Sequence, residues 1–231
     1  MKQVFVIHGW TYSLDKWYDV CDYLQKRGIE LVLLKVPGLT EPSDKVWDID
    51  GYISWLDSKL QGQTQPIVIG HSNGGRIALS YIQRYPGRIS QLILIDSAGI
   101  PKSEKKTLFK LKILRVLSKI GKIFSYIPPL KRLFYRVIGA QDYYNAPANM
   151  KKTMQNMLHA DQLIDLSQIK LPVTIIWGSD DTQTPLADGQ KMHTTISGSK
   201  LYIVDGARHA PQATHTEKVV DIIAKALEAG K

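Results

Sequence analysis

Short apolar runs rich in β-branched residues alternate along the chain with longer stretches in which apolar residues recur every three or four positions. The runs fall at residues 4–7, 29–36, 66–69, 91–95, 173–177 and 201–204, and unbroken apolar character over so few residues predicts strands covered on both faces. Helical periodicity fills the stretches between them, at 15–26, 46–60, 73–85, 186–196 and 217–227. In the last of these Val219, Val220, Ile223, Ala226 and Leu227 share one face. Strand–helix alternation predicts a parallel sheet with right-handed crossovers and helices on both faces. Sheets of this kind take ligands at the carboxyl ends of their strands.

The alternation breaks after residue 95. In place of one short helix, an amphipathic segment runs from 108 to 124, with Phe109, Ile113, Val116, Leu117, Ile120 and Phe124 on one face. Lys105, Lys112, Arg115, Lys119 and Lys122 follow the opposite face, and Pro128-Pro129 ends the pattern. Further helical stretches are expected at 130–138, 147–158 and 161–166. The expected organisation is a core formed by 1–100 and 168–231, with 101–167 inserted as a helical cap over the strand ends.

Charge sharpens this division. Residues 101–167 hold 13 of the 30 Lys and Arg but 4 of the 21 Asp and Glu, which leaves 17 of each sign elsewhere and puts the net +9 in the insertion. Three readings of the basic face stay open: a solvated surface, a face that meets anionic membranes, and a site for a soluble anion or nucleic acid. No run reaches the roughly 18 apolar residues a membrane span needs, and no charged start followed by a long apolar stretch marks a signal peptide. The single cysteine, Cys21, cannot close an internal disulfide, so a cytoplasmic protein is expected.

The chemistry gathers at the ends of the predicted strands. Gly70-His71-Ser72-Asn73-Gly74-Gly75 lies between a strand and a helix, the setting of a nucleophile elbow, a turn tight enough to project its serine alone. A serine hydroxyl needs a base to take its proton, a carboxylate to orient the base, and donors for the developing oxyanion. Candidates follow other strands: Gly178-Ser179-Asp180-Asp181, Gly206-Ala207-Arg208-His209 and His8-Gly9-Trp10. No zinc spacing, phosphate-binding loop or dinucleotide fingerprint occurs, and no cofactor is implied.

With these motifs in the order Ser, Asp, His, the chain resembles lid-bearing serine hydrolases of the α/β-hydrolase fold, of the carboxylesterase and lipase type. The likeness runs from His8-Gly9 to the histidine loop. It implies Ser72 as nucleophile, Asp181 as the acid in the register set by Gly178 and Pro185, His209 as the base, and the backbone N–H groups of Trp10 and Asn73 as oxyanion donors. It also implies a small-molecule ester as substrate. Similar proteins often carry one or two strands ahead of the His-Gly strand, so a trimmed, mostly parallel sheet of about six strands is expected here.

Competing roles remain at several positions. Asp180 competes with Asp181, and His215 with His209. Asp96 also ends a strand, where some such hydrolases keep their acid; its other role is to bond turn amides beneath the elbow. His8 is expected to hold the oxyanion loop. His71 either contacts substrate or packs beside the elbow. Trp10 walls the acyl pocket in this reading, while Trp177 and Cys21 belong to the core, and His159 and His193 to helix surfaces. The main alternative within enzymes is a carbon–carbon bond hydrolase of ring-fission type, and outside enzymes a small-ligand or lipid-binding protein. No nucleic-acid role is expected, and the oligomeric state is left open.

Overall fold

The computed structural model describes residues 2–100 and 146–229. Six strands, β1 (Lys2–Ile7), β2 (Ile29–Leu34), β3 (Ile67–His71), β4 (Gln91–Ile95), β5 (Val173–Gly178) and β6 (Lys200–Val204), pair in the order β2-β1-β3-β4-β5-β6. Every pairing is parallel. The chain leaves β1 for β2 on one side and then crosses to β3 on the other. The strand order therefore reverses between β1 and β3, and a crevice opens beyond their carboxyl ends. His8-Gly9-Trp10 and His71-Ser72 lie at that point.

Side chains alternate across the sheet with the period of two that a strand imposes. Phe5, Ile7, Val68, Leu92, Leu94, Ile175 and Trp177 enter one core. Their neighbours Val4, Val6, Ile67, Ile69, Ile93, Ile95 and Ile176 enter the other. Helices α1 (Tyr18–Gln25) and α6 (Thr216–Glu228) cover the second face through Val20, Leu24, Val219, Val220 and Ile223. Helices α2 (Ile49–Lys59), α3 (Asn73–Arg84) and α5 (Leu186–Thr195) cover the first. Both central strands, β3 and β4, are buried along their whole length, as their unbroken apolar runs require.

The expected helix at 108–124 with its apolar and basic faces, and the helix at 130–138, lie outside the described residues. The chain becomes described again shortly before α4 (Ala148–Ala160), which begins directly after Pro147. Met150 and Met157 drive this helix into the first core, both essentially without exposure. Its polar face grips the loop ahead of α2: Asn149 donates to the carbonyl oxygens of Ser43 and Lys45, Asn156 to that of Trp47, and the Thr153 hydroxyl accepts the Trp47 N–H. Two 3-10 turns, Asp161–Leu163 and Leu166–Gln168, then lead to β5.

Candidate active site

Ser72 lies between β3 and α3 with φ 52° and ψ −119°, a left-handed conformation that a residue with a Cβ adopts only when its surroundings enforce it. Three backbone bonds do so: Ser72 N–H to the Ile95 carbonyl, and the N–H groups of Gly75 and Ala98 to the Ser72 carbonyl, each 3.0 Å. The turn is tight enough that a Cβ on Gly74 would run into the Ile7 carbonyl, and one on Gly70 would lie 2.6 Å from the Gly75 Cα. These contacts explain why glycine brackets the serine.

The serine hydroxyl donates to Nε2 of His209 at 2.8 Å, and Nδ1–H of His209 donates to Oδ2 of Asp181 at 2.7 Å. A carboxylate only accepts, so Asp181 fixes the proton on Nδ1 and leaves the Nε2 lone pair for Ser72. Asp181 accepts further bonds from the N–H groups of Gln183 and Thr184 and from the Thr184 hydroxyl. Burial works to raise the Asp181 pKa, but the His209 bond and charge, with the Thr184 and Gln183 donors, outweigh it and hold the carboxyl below its ordinary range. Asp180 is exposed and accepts from the Ser179 hydroxyl, and His215 lies beside Thr214. Neither of these two touches Ser72 or His209.

Asp96 is fully buried with φ 41°. One of its oxygens accepts the Gly178 N–H at 2.8 Å, while Oδ2 has no partner among the described residues. Burial, with the nearby Asp181 charge adding and the Gly178 bond opposing, pushes its pKa up to about 8. The amide it braces opens the Asp181 loop. It does not brace the elbow amide, which goes to the Ile95 carbonyl instead. Ligand atoms of Asp96, Asp181 and His209 lie within 4.8 Å of one another. N–H and O–H donors already occupy the Asp181 oxygens, and Asp96 holds a proton near neutrality, so this cluster is an acid–base network with little left to offer a cation.

Three neighbours fix the loops around the serine. His8 donates from Nδ1 to the Gly9 carbonyl and accepts the Thr40 hydroxyl at Nε2, both at 2.7 Å, which anchors the turn carrying Trp10. A Cβ on Gly9 would approach Ser72 Cβ to 2.8 Å, so the Gly9-Trp10 segment lies directly against the serine. The Asn73 N–H heads α3, where no carbonyl of the helix can reach it. Trp177, fully buried, donates its indole N–H to the Thr184 carbonyl and ties β5 to the Asp181 loop.

Two features were not foreseen from sequence. His71 donates from Nε2 to the His209 carbonyl at 2.9 Å, joining elbow to histidine loop. Burial, then the His209 charge, depresses its pKa to about 3, so the ring is neutral. Arg76, one turn into α3, forms a buried two-pronged pair with Asp161 at 2.6 and 3.1 Å and donates to the Asn73 side chain at 2.5 Å. The sequence signal was an arginine on the core-facing side of a helix that follows an elbow; a group so placed requires a buried partner.

A cavity of about 250 Å³ opens beside Ser72, His209, Trp10 and Asn73, with Ile100, Met154, Met157 and Leu158 as its apolar wall. Among the described residues no helix is long and apolar enough to cross a membrane.

Known proteins are similar to this chain in sequence pattern and fold. The pattern of the alpha/beta hydrolase fold family matches residues 2–216. A pimeloyl-[acyl-carrier protein] methyl ester esterase of Neisseria meningitidis serogroup B (strain H44/76) is 23% identical, the match covering 100% of this chain and 94% of the relative. Among solved structures, an esterase from Exiguobacterium antarcticum superposes with a TM-score of 0.72 at 20% identity, over 99% of this chain and 92% of that one. A meta-cleavage product hydrolase from Pseudomonas fluorescens superposes equally well, 0.72 at 16% identity, over 100% and 92%. These structural likenesses are of fold alone. With the family pattern running through the sheet, the elbow and the histidine loop, the chain belongs to the alpha/beta hydrolase fold family.

Proposed function

We propose that the protein is a serine hydrolase that cleaves carboxylic esters through an acyl-enzyme. The observation that carries this reading is the ordered chain from the Ser72 hydroxyl through His209 to Asp181, with the serine held in a strained turn at the head of α3. His209 takes the Ser72 proton as Oγ attacks the ester carbonyl, and Asp181 stabilises the imidazolium that forms. Trp10 and Asn73 line the same cavity, and in this reading their backbone N–H groups receive the oxyanion. Collapse of the tetrahedral intermediate expels the alcohol, which leaves with the proton from His209. Water, deprotonated by the same histidine, then releases the acid.

The apolar wall of the cavity suits an acyl chain of small to medium length. The relative named as a methyl ester esterase supports the ester class. Residues 101–167 act as a cap over this cavity in the same reading, and the enzyme works in the cytoplasm. Hydrolysis of p-nitrophenyl esters from acetate to palmitate, with Ser72→Ala beside wild type, tests the proposal. Turnover by wild type that vanishes in a folded variant supports it; equal turnover by both overturns it.

A further inference from the structure

Ser72 and His209 stand in the wall between two cavities. Beyond the one described above, a second of about 270 Å³ opens toward the start of α1 and the histidine loop, and Trp10, Ser72, Gln183 and His209 line both. The two differ in charge. The first carries Asp161 and Asp188 against Arg76. The second carries Lys16 and Arg208, and no carboxylate lines it.

Neither Lys16 nor Arg208 forms an ion pair among the described residues. The rest of the lining is largely neutral and able to hydrogen-bond, with Thr11, Ser13 and Gln212 among its members. The Lys16 charge is felt at the elbow: after burial and the His209 charge, it is one of the smaller influences that keep His71 unprotonated. Trp10, in the shared wall, has an indole N–H with no acceptor among the described residues.

Acyl transfer divides an ester at the carbonyl. The Oγ–C bond forms, the C–O bond breaks, the acyl half stays on Ser72, and the alcohol half takes the proton from His209 Nε2. The halves lie on opposite sides of the attacked carbon, and this site offers one chamber to each. In the first chamber Arg76 is already matched by Asp161, whereas Lys16 and Arg208 of the second have no ion-pair partner among the described residues and draw an anion to that side. We infer that the second cavity, bounded by Lys16 and Arg208, is a leaving-group site, and that the enzyme favours esters whose alcohol half carries a carboxylate or phosphate. This inference rests on the esterase reading and adds the charge and side of the preferred substrate.

The test uses four aryl esters: p-nitrophenyl acetate, a ring-carboxylated analogue, a ring-phosphorylated analogue, and a p-nitrophenyl monoester of a dicarboxylic acid, whose charge lies on the acyl side. The readout is kcat/KM for each anionic ester divided by that for the neutral one. The expected result is a wild-type ratio above one for the first two anionic esters. It falls about tenfold in Lys16→Gln/Arg208→Gln, as exposed charge contacts allow, falls with added salt, and is restored by Lys16→Arg/Arg208→Lys. Comparison of the carboxylated and phosphorylated esters identifies the anion. A wild-type ratio that ignores the double substitution overturns the inference, as does a ratio that responds to it only for the acyl-side anion. A wild type inactive on all four esters overturns the esterase reading, and this inference with it.

Discussion

Nε2 of His71 donates to the backbone carbonyl of His209 across 2.9 Å, so the residue before the serine holds the loop that carries its base. A hydrogen bond of the main chain fixes where the His209 ring starts, and the Asp181 bond fixes how it turns.

His71→Leu is therefore expected to remove the donor to the half-buried His209 carbonyl and cost about 0.5–1.5 kcal/mol in stability. The same change lets the histidine loop drift and lowers kcat about tenfold, with a smaller change in KM. His71→Gln, whose amide can still donate, keeps most of both. Denaturant unfolding and ester kinetics on the two variants check this.

The neutral His71 and the protonated Asp96 pull the pH dependence of stability in opposite directions. His71 stays unprotonated in the fold down to about pH 3, whereas the unfolded chain takes up that proton near 6.5. Stability on this account falls by about 1.4 kcal/mol per pH unit as pH drops below 6.5. Asp96 keeps its proton in the fold up to about pH 8 but loses it near 3.8 when unfolded. Its contribution falls at the same rate of about 1.4 kcal/mol per unit as pH rises from 3.8 to 8. The two slopes cancel between 3.8 and 6.5, and a decline remains from 6.5 to about 8. Asp96→Asn is expected to abolish that decline in urea unfolding measured across this range; a decline that persists in the variant contradicts the assignment.

Arg76 and Asp161 are both buried, and either one alone would be an unpaired charge. Arg76→Met and Asp161→Leu are each expected to destabilise by about 3–5 kcal/mol, and the double variant by much less than the sum. A double-mutant cycle in denaturant measures the difference.

Asp181→Asn preserves the shape of the acid loop but removes the charge that fixes the His209 tautomer. A fall in kcat of about 10⁴ is expected, by analogy with the serine-protease acid, with little change in the unfolding midpoint. Steady-state kinetics and thermal unfolding separate the two effects.

The sheet was legible in the sequence because its strands are short, apolar and β-branched. Backbone pairing carries β1, β3, β5 and β6 one or two residues past the apolar run, β4 matches its run, and β2 ends at Leu34, two residues short of its run. Strand β3 continues through Gly70 and His71 in this way. Gly74 and Ser72 were legible for a related reason: an elbow this tight admits few residue types, so it leaves a local pattern. The His71–His209 and Arg76–Asp161 contacts join residues 138 and 85 positions apart. Sequence marks each of those side chains as polar and awkward to bury, but the partner is chosen by the packing of loops and helix ends, which no local period encodes. The hydrogen-bonding target of Asp96 shifted from the elbow to Gly178 for the same reason.

The central claim is that Ser72 is a nucleophile activated by His209. Treatment with a fluorophosphonate followed by peptide mass spectrometry tests it most directly. The account predicts one adduct, on the peptide containing Ser72, absent in Ser72→Ala and formed orders of magnitude more slowly in His209→Ala. Labelling on another residue, or labelling of Ser72 at an unchanged rate without His209, would contradict it.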